Sequence, residues 1–404
     1  MSYILLVNSM VFSKIILYYS VLTICGLYYR TRKRVVKPLV NYPRVDVLIP
    51  AHNEGRVIQH TLEAMVELDY PGELYIYLLN DHSQDETEDI AEAFARTYKN
   101  LHHIRVPKGE PKGKSRVLNY GLSISNSEYF VVYDADNQPE PQSLRLLVEA
   151  AVNTPKAGGA VGYVRTVNEN KNLLTRMISL EFQIFQLLMQ SGRWFLFNTG
   201  SLTGTNMLVK RSTLAEVGDY DVYALAEDAE LTLRITSRGQ LLPIVPEAIT
   251  WEQEPEELGV LIKQRTRWLQ GNLYLLEKMF SSFEYYKGKM LVHTLQQILV
   301  YIIFLVFLMI SHGWFIAGLL GIISPNIQLP FLLIWYMSYL VYTCQAFSAQ
   351  VVEGTASPIN MLVGFISYFT YCQLFIFLFF RSLFYYIKAR RRKEVIKWDK
   401  TIRF

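Results

Sequence analysis

Charge is scarce in this chain and cysteine scarcer still. Charged residues make up 19% of its 404 positions, and the three cysteines (Cys25, Cys344, Cys372) sit far apart in apolar stretches. No zinc-ligand or disulfide spacing exists among them, so they read as small buried hydrophobes. The net charge of +4 is modest, and no basic face is interleaved with aromatics. That excludes a nucleic-acid partner. There is no internal repeat and no long low-complexity linker, which excludes a repeat architecture. What the chain has in quantity is apolar residue, 51% by count, unevenly distributed. Its length suits one large domain plus a membrane region.

Tyr3 to Tyr29 is interrupted only by Lys14, and a bilayer span needs ~20 apolar residues. A cleaved signal peptide would have a basic start, a shorter apolar run and a small-residue cleavage site. None is present, so the segment reads as a retained anchor. Arg30, Arg32, Lys33, Arg34 and Lys37 follow it, and the positive-inside rule puts that flank in the cytosol. The chain turns apolar again at Val292 to Ile323, with a break at Ser311, His312 and Gly313, then at Pro330 to Ala349 and Ile359 to Phe380. A basic tail with Lys388, Arg390, Arg391, Arg392 and Lys393 follows, and its charge favours the cytosol. Three crossings after a cytosolic domain would place that tail outside; two or four would keep it inside. The expected layout is a transmembrane helix at 1–30, a cytosolic domain at 31–250, interfacial helices at 251–290, membrane helices at 291–388 and a cytosolic tail at 389–404.

Between Pro43 and Tyr286 the pattern is that of an α/β unit. Val45 to Ile49, Leu74 to Leu79 and Phe130 to Tyr133 are short apolar runs suited to buried parallel strands. Ile58, Leu62, Met65 and Val66 share a helical face, as do Ile90, Phe94 and Tyr98. The alternation predicts a doubly wound sheet, in which ligands bind beyond the carboxyl ends of the strands. Asn53 and Glu54, Asp81, and the pair Asp134 and Asp136 fall at those ends.

Two carboxylates two residues apart suit a hard divalent cation that bridges phosphates; Asp134-Ala135-Asp136 equally suits a turn or helix cap. Lys112-Gly113-Lys114-Ser115 reads as a diphosphate loop at a helix start or as a solvated loop. Asp81-His82-Ser83-Gln84-Asp85 could bind a base or ribose, or cap a helix. His52, His82, His102 and His103 have no metal-ligand spacing and read as surface or loop residues. Glu227-Asp228 opens a helical run, as a cap or as a general base. Gly204-Thr205-Asn206 precedes an apolar strand, where glycine permits close approach to a ligand. In Gln264-Arg265-Thr266-Arg267-Trp268, arginine suits a diphosphate and tryptophan a sugar ring; an interfacial helix favours the same residues.

In this order, over Arg44 to Asn272, these motifs resemble the family-2 glycosyltransferases. The nearest group is the processive membrane synthases of cellulose, chitin, hyaluronan and poly-N-acetylglucosamine. The resemblance implies a glycosyltransferase-A (Rossmann-like) α/β domain joined to transmembrane helices, and inverting hexosyl transfer dependent on Mg²⁺ or Mn²⁺. It implies nucleotide-sugar binding by Pro50, Ala51, Asn53, Glu54, Asp81, Lys114, Asp134 and Arg267, with metal at Asp134 and Asp136. Asp228 would be the base, and Gly204, Thr205, Glu227, Gln264 and Trp268 would meet the acceptor. Asn80 and Ala226 stand where many members carry Asp and Thr. The implied partners are a UDP-sugar, a glycan or glycolipid acceptor and the bilayer of the plasma (inner) membrane, with room for an accessory export subunit. The segment after the last apolar run is too short for a cyclic di-GMP barrel, so control of that kind is not expected.

Overall fold

The structure, a computed structural model, describes residues 2–32, 37–322 and 325–392. Of the residues singled out above, Lys33, Arg34, Ile323 and Lys393 lie outside them. The strands are β1 (Val45–Ala51), β2 (Leu74–Asn80), β3 (Leu101–Arg105), β4 (Tyr129–Val132), β5 (Gln138–Pro139), β6 (Gly159–Thr166), β7 (Met207–Lys210) and β8 (Ile244–Glu252). They form one sheet in the order β3-β2-β1-β4-β7-β6-β8-β5. The first four run parallel, and both their faces are covered. Val47, Ile49 and Val131 pack with Ile58, Leu62 and Leu147 on one side. Leu48, Phe130 and Val132 pack with Val117, Leu118 and Leu231 on the other. Strands buried on two faces need apolar residues on both, and β1, β2 and β4 carry them, with Asp46 and Asn80 as buried polar exceptions.

Three expectations need correction here. The sheet is mixed, because β7 pairs antiparallel with both β4 and β6, and β5 with β8. The chain between β6 and β7 leaves and re-enters at one end of the sheet, so no crossover imposes a parallel pair. His102 and His103 are strand residues of β3, with His102 stacked on Tyr75; period-2 alternation is weak in so short an edge strand. Pro50 lies inside β1, where the pairing with β4 has already ended at Leu48, so its missing N–H costs no ladder bond.

Among the described residues, three helices are long and apolar enough to cross a membrane: Leu6–Thr31, Met290–Leu319 and Tyr371–Arg392. A fourth helix, Pro325–Glu353, packs along the first. The break expected at Ser311, His312 and Gly313 is absent. Ser311 accepts from Trp335 Nε1 at 3.0 Å, and His312 Nε2 lies 3.1 Å from Gln373 Oε1, so neighbouring helices satisfy these polar groups. The apolar run Ile359 to Phe380 is not one helix but two, Pro358–Ser367 and Tyr371–Arg392. The second continues through Arg392, past the boundary expected at 388. The cysteines are unpaired as expected but not buried: Cys344 is exposed, Cys25 and Cys372 half-buried.

The domain is bolted to these helices. Tyr29 donates to the Ile244 carbonyl at 2.7 Å. Glu353 accepts from Tyr163 at 2.8 Å and pairs with Arg30 and Arg165. An amphipathic helix missed in the sequence, Leu173–Phe185, continues through a π-helical turn, Gln186–Gly192, and a last turn, Arg193–Phe197. That stretch lies against the amino-terminal helix. A Cβ on Gly26 would meet the Leu187 carbonyl oxygen at 2.2 Å, and one on Gly192 the Leu22 carbonyl oxygen at 2.5 Å.

Candidate active site

The carboxyl ends of β1, β2 and β4 open into a cavity of about 1590 Å³ that extends among the apolar helices. Of the residues assigned above to donor, metal, base or acceptor, Asn53 alone is absent from its wall. Asn53 adopts φ 54°, and its Oδ1 accepts from the Gln84 N–H at 2.6 Å. The Asn53 N–H donates to Ser83 Oγ at 2.9 Å, and the Glu54 N–H to Thr87 Oγ1 at 2.7 Å. These bonds lash the loop after β1 to the loop after β2, so Asn53 braces the site from behind. Asn80 is buried and its Oδ1 accepts from the Ser83 N–H at 3.0 Å; an amide there serves the turn as well as a carboxylate would. Asp81 accepts from Arg116, whose Nη1 also donates to the Pro107 carbonyl at 2.7 Å.

Lys114 is the centre of charge. Its Nζ lies 2.6 Å from Asp134 Oδ1 and 3.4 Å from Glu227 Oε1, and it donates to the Gly204 carbonyl at 2.7 Å. Burial works against the ammonium, but Asp134, Glu227 and Asp228 outweigh it and hold Lys114 above its ordinary value. Asp228 sits beside it at the start of the helix Glu227–Ser237. Burial, and then the Glu227 carboxylate, push Asp228 up to about 7, against the pull of backbone N–H groups and Lys114. Gly204, at φ 83°, closes the group: a Cβ there would stand 3.5 Å from Asp228 Oδ2 and 3.8 Å from Lys114 Nζ. Thr205 Oγ1 accepts from the Asp134 N–H at 3.1 Å and bonds Asn137, which fixes the Asp134–Asp136 turn. Asp136 is 3% exposed, and its Oδ2 accepts from the Gln253 N–H at 3.3 Å.

Gln264, Arg267 and Trp268 line the cavity from one helix, Leu258–Ser281. The model of the family described as "Glycosyltransferase like family 2" matches residues 43–271. The chain belongs to that family. It is a glycosyltransferase, similar to the probable glycosyltransferase YdaM of Bacillus subtilis (strain 168) at 39% identity over 90% of this chain and 87% of the relative. It is 26% identical to a poly-beta-1,6-N-acetyl-D-glucosamine synthase of Staphylococcus epidermidis, over 87% of this chain and 76% of the other. In fold it resembles a mannosyltransferase, PcManGT from Pyrobaculum calidifontis, solved with GDP-Man and Mn²⁺. That match has TM-score 0.62 at 19% identity and covers 90% of this chain and 98% of that one. The glycosyltransferase-A-like fold and the apolar helices implied by the motifs are thus both present.

Sequence reasoning missed the residue that holds the glycosyltransferase's tryptophan. Arg265 is 1% exposed. Its guanidinium lies over the Trp268 ring at 4.0 Å, and its Nη2 donates to Glu181 Oε2 at 2.8 Å. Tyr371 donates to the same carboxylate, and Phe182 meets Trp268 edge-on at 6.2 Å. Burial opposes the Arg265 charge, but Glu181 restores it and keeps the group above its ordinary value. Arg265 stood in view inside the Gln264–Trp268 stretch; only its pairing with Glu181, distant in the chain, was hidden. Ala226 is also explained: Gly271 packs against it so closely that a Cβ on Gly271 would come within 2.7 Å of the Ala226 Cβ.

Among the described residues no cluster of three or more His, Cys, Asp or Glu side chains gathers for a metal. Asp134 and Asp136 nonetheless fit Mg²⁺ or Mn²⁺, hard ions that take one or two carboxylates and fill the remaining positions with water and phosphate oxygens. They do not fit a closed zinc site, which needs four protein ligands.

Proposed function

We propose that this glycosyltransferase moves a hexose from a UDP-sugar, with inversion, onto the growing end of a β-linked exopolysaccharide, and passes that chain into its membrane helices. The observation carrying this reading is the continuity of one cavity from Asp228, past Trp268, to Tyr301 and Trp335 of the apolar helices and Tyr368 in the turn after Pro358–Ser367. Aromatic faces along such a path suit sliding contact with sugar rings. The relative named as a polysaccharide synthase supports a polymeric product.

The proposed chemistry is a single displacement. Asp228 takes the proton of the acceptor hydroxyl while that oxygen bonds to the anomeric carbon. The bond from that carbon to the diphosphate breaks on the opposite face, and the diphosphate leaves with the bonding electrons. Lys114 and Arg267 meet the charge that develops on it. Asp134 and Asp136 would hold a divalent ion, which would supply Lewis-acid stabilisation of the same charge. Trp268, held by Arg265 and Glu181, stacks on the acceptor sugar.

A multi-pass arrangement with the catalytic domain in the cytosol accompanies this reading. Tyr371–Arg392 is tied at one end to Glu181 through Tyr371, and at the other to Glu277, where Arg390 Nε donates at 3.0 Å. Both partners belong to helices of the catalytic half. We infer that this helix lies along the interface, leaving Met290–Leu319 and Pro325–Glu353 as an out-and-back pair, so the basic tail starts on the cytosolic side.

The test is incubation of purified protein with a panel of UDP-sugars and Mg²⁺ or Mn²⁺, following UDP release and product size. Metal-dependent release with one sugar and a long product supports the reading. A product of one added sugar sinks processivity, and release unaffected by chelation sinks the metal.

A further inference from the structure

The cavity has a second charged feature that transfer at Asp228 does not use. Arg193 lines it and is only 5% exposed. Among the described residues, no carboxylate forms an ion pair with it. Its Nη2 lies 2.8 Å from His293 Nδ1. A guanidinium can only donate, so Nδ1 accepts and the ring proton sits on Nε2. Among the described residues, Arg193 Nε and His293 Nε2 are then two buried donors without a hydrogen-bond partner, on side chains that line the cavity. Buried donors are normally satisfied, and a buried cation lacking a counter-charge is unfavourable. Desolvation pulls Arg193 down to about 10, opposed only in part by Tyr18 and Tyr19. Two such donors beside a cation match an anion with several acceptor oxygens.

The surface beside this seat is apolar. Phe12, Ile15, Ile16 and Tyr19 bring one face of the amino-terminal helix onto the same cavity, at the spacing of helical neighbours. Phe304 faces them, its ring 6.4 Å from that of Phe12. A cationic seat next to an apolar wall matches an amphiphile better than a free ion or an uncharged sugar. We propose that Arg193 and His293 bind the phosphate of a lipid whose hydrocarbon lies along the Phe12–Tyr19 face. The inference rests on the reading that transfer takes place at the Asp228 end of the cavity. It adds no chemical step: the attacking group remains a sugar hydroxyl, and the lipid takes no part in the transfer.

The experiment uses the full chain in a non-ionic polyoxyethylene detergent. Dodecyl phosphate, dodecanol and inorganic phosphate are titrated by calorimetry, with UDP binding measured in parallel. Dodecyl phosphate should bind at least about tenfold more tightly than either control, the scale of one charge-assisted hydrogen bond. Arg193→Gln should lose that advantage and Arg193→Lys should keep most of it, with UDP binding unchanged in both. Equal binding of dodecanol overturns the charged seat, and equal binding of inorganic phosphate overturns the lipid. Unchanged affinity in Arg193→Gln overturns the assignment. Should Arg193→Gln lose UDP binding through misfolding, His293→Leu decides instead, and unchanged affinity there overturns the proposal. Absence of UDP release from every UDP-sugar, with dodecyl phosphate still bound, would sink the functional reading and leave the seat standing.

Discussion

Asp228 can act as a base near neutral pH because burial and Glu227 oppose its charge while Lys114 stops that opposition from going further. Activity should therefore rise with pH through about 7, as the carboxylate forms. Stability of the donor-free protein should move the other way. With its folded value raised above the ordinary carboxylate range, the native state keeps this proton where the unfolded chain has lost it. The contribution of Asp228 is thus intact below the unfolded value and is lost as pH rises towards about 7. Asp228→Asn should remove both effects, cutting kcat by about 10²–10⁴-fold while UDP binding is retained; near-normal turnover would remove Asp228 from the role. The second residue-scale prediction concerns the Trp268 clamp. Glu181→Gln leaves the Arg265 cation buried without its partner, and one-sided removal of that kind costs about 3–5 kcal/mol. Thermal unfolding should show the loss, and the KM for acceptor should rise more than the KM for donor. Both would fail if the clamp were incidental. Asp134, Asp136 and Asp228 were legible as residue types at strand and helix ends. Arg265 was not, since a helical sequence does not say which of two arginines, Arg265 or Arg267, turns inward.

At the scale of elements, the amino-terminal helix and the Gln186–Gly192 turn meet with almost no clearance. Gln186 explains part of the π-helical geometry: it donates to the Val164 carbonyl at 2.8 Å and accepts from the Val164 N–H at 2.7 Å, tying the turn to β6. Such turns are often found at functional sites, and this one lines the cavity. Gly26→Val would drive a side chain into the Leu187 carbonyl. Overpacking of this kind costs about 1–3 kcal/mol, so the unfolding midpoint should fall; an unchanged midpoint would mean the two helices separate freely. The parallel strands were readable because burial on both faces demands apolar runs. The antiparallel pairings of β7 and β5 were not, because strand direction depends on where the chain re-enters the sheet.

At the scale of the molecule, Glu353 joins three parts: Arg30 of the amino-terminal helix, Tyr163 and Arg165 of β6, and the end of its own membrane-side helix. Glu353→Gln weakens all three contacts at once. It should lower thermal stability without changing UDP affinity, and equal loss of UDP binding would place Glu353 in the site itself. The interfacial placement of Tyr371–Arg392 predicts that a tag after Phe404 is cleaved by protease in inverted vesicles and protected in right-side-out ones. The reverse pattern would mean that the helix crosses the bilayer.

The sequence by itself determined the chemistry and the segregation. Carboxylates, lysine and the Gln264–Trp268 stretch follow apolar runs at recognisable spacings, and membrane-length segments need only composition to be seen. Tertiary structure alone decided which groups share a space. It tied Asn53 to the loop after β2, set Arg265 under Trp268, split the last apolar run into two helices, and brought Arg193 of one helix to His293 of another. The reason is physical: local pattern encodes which face of an element is buried, whereas partners distant in the chain are chosen by packing.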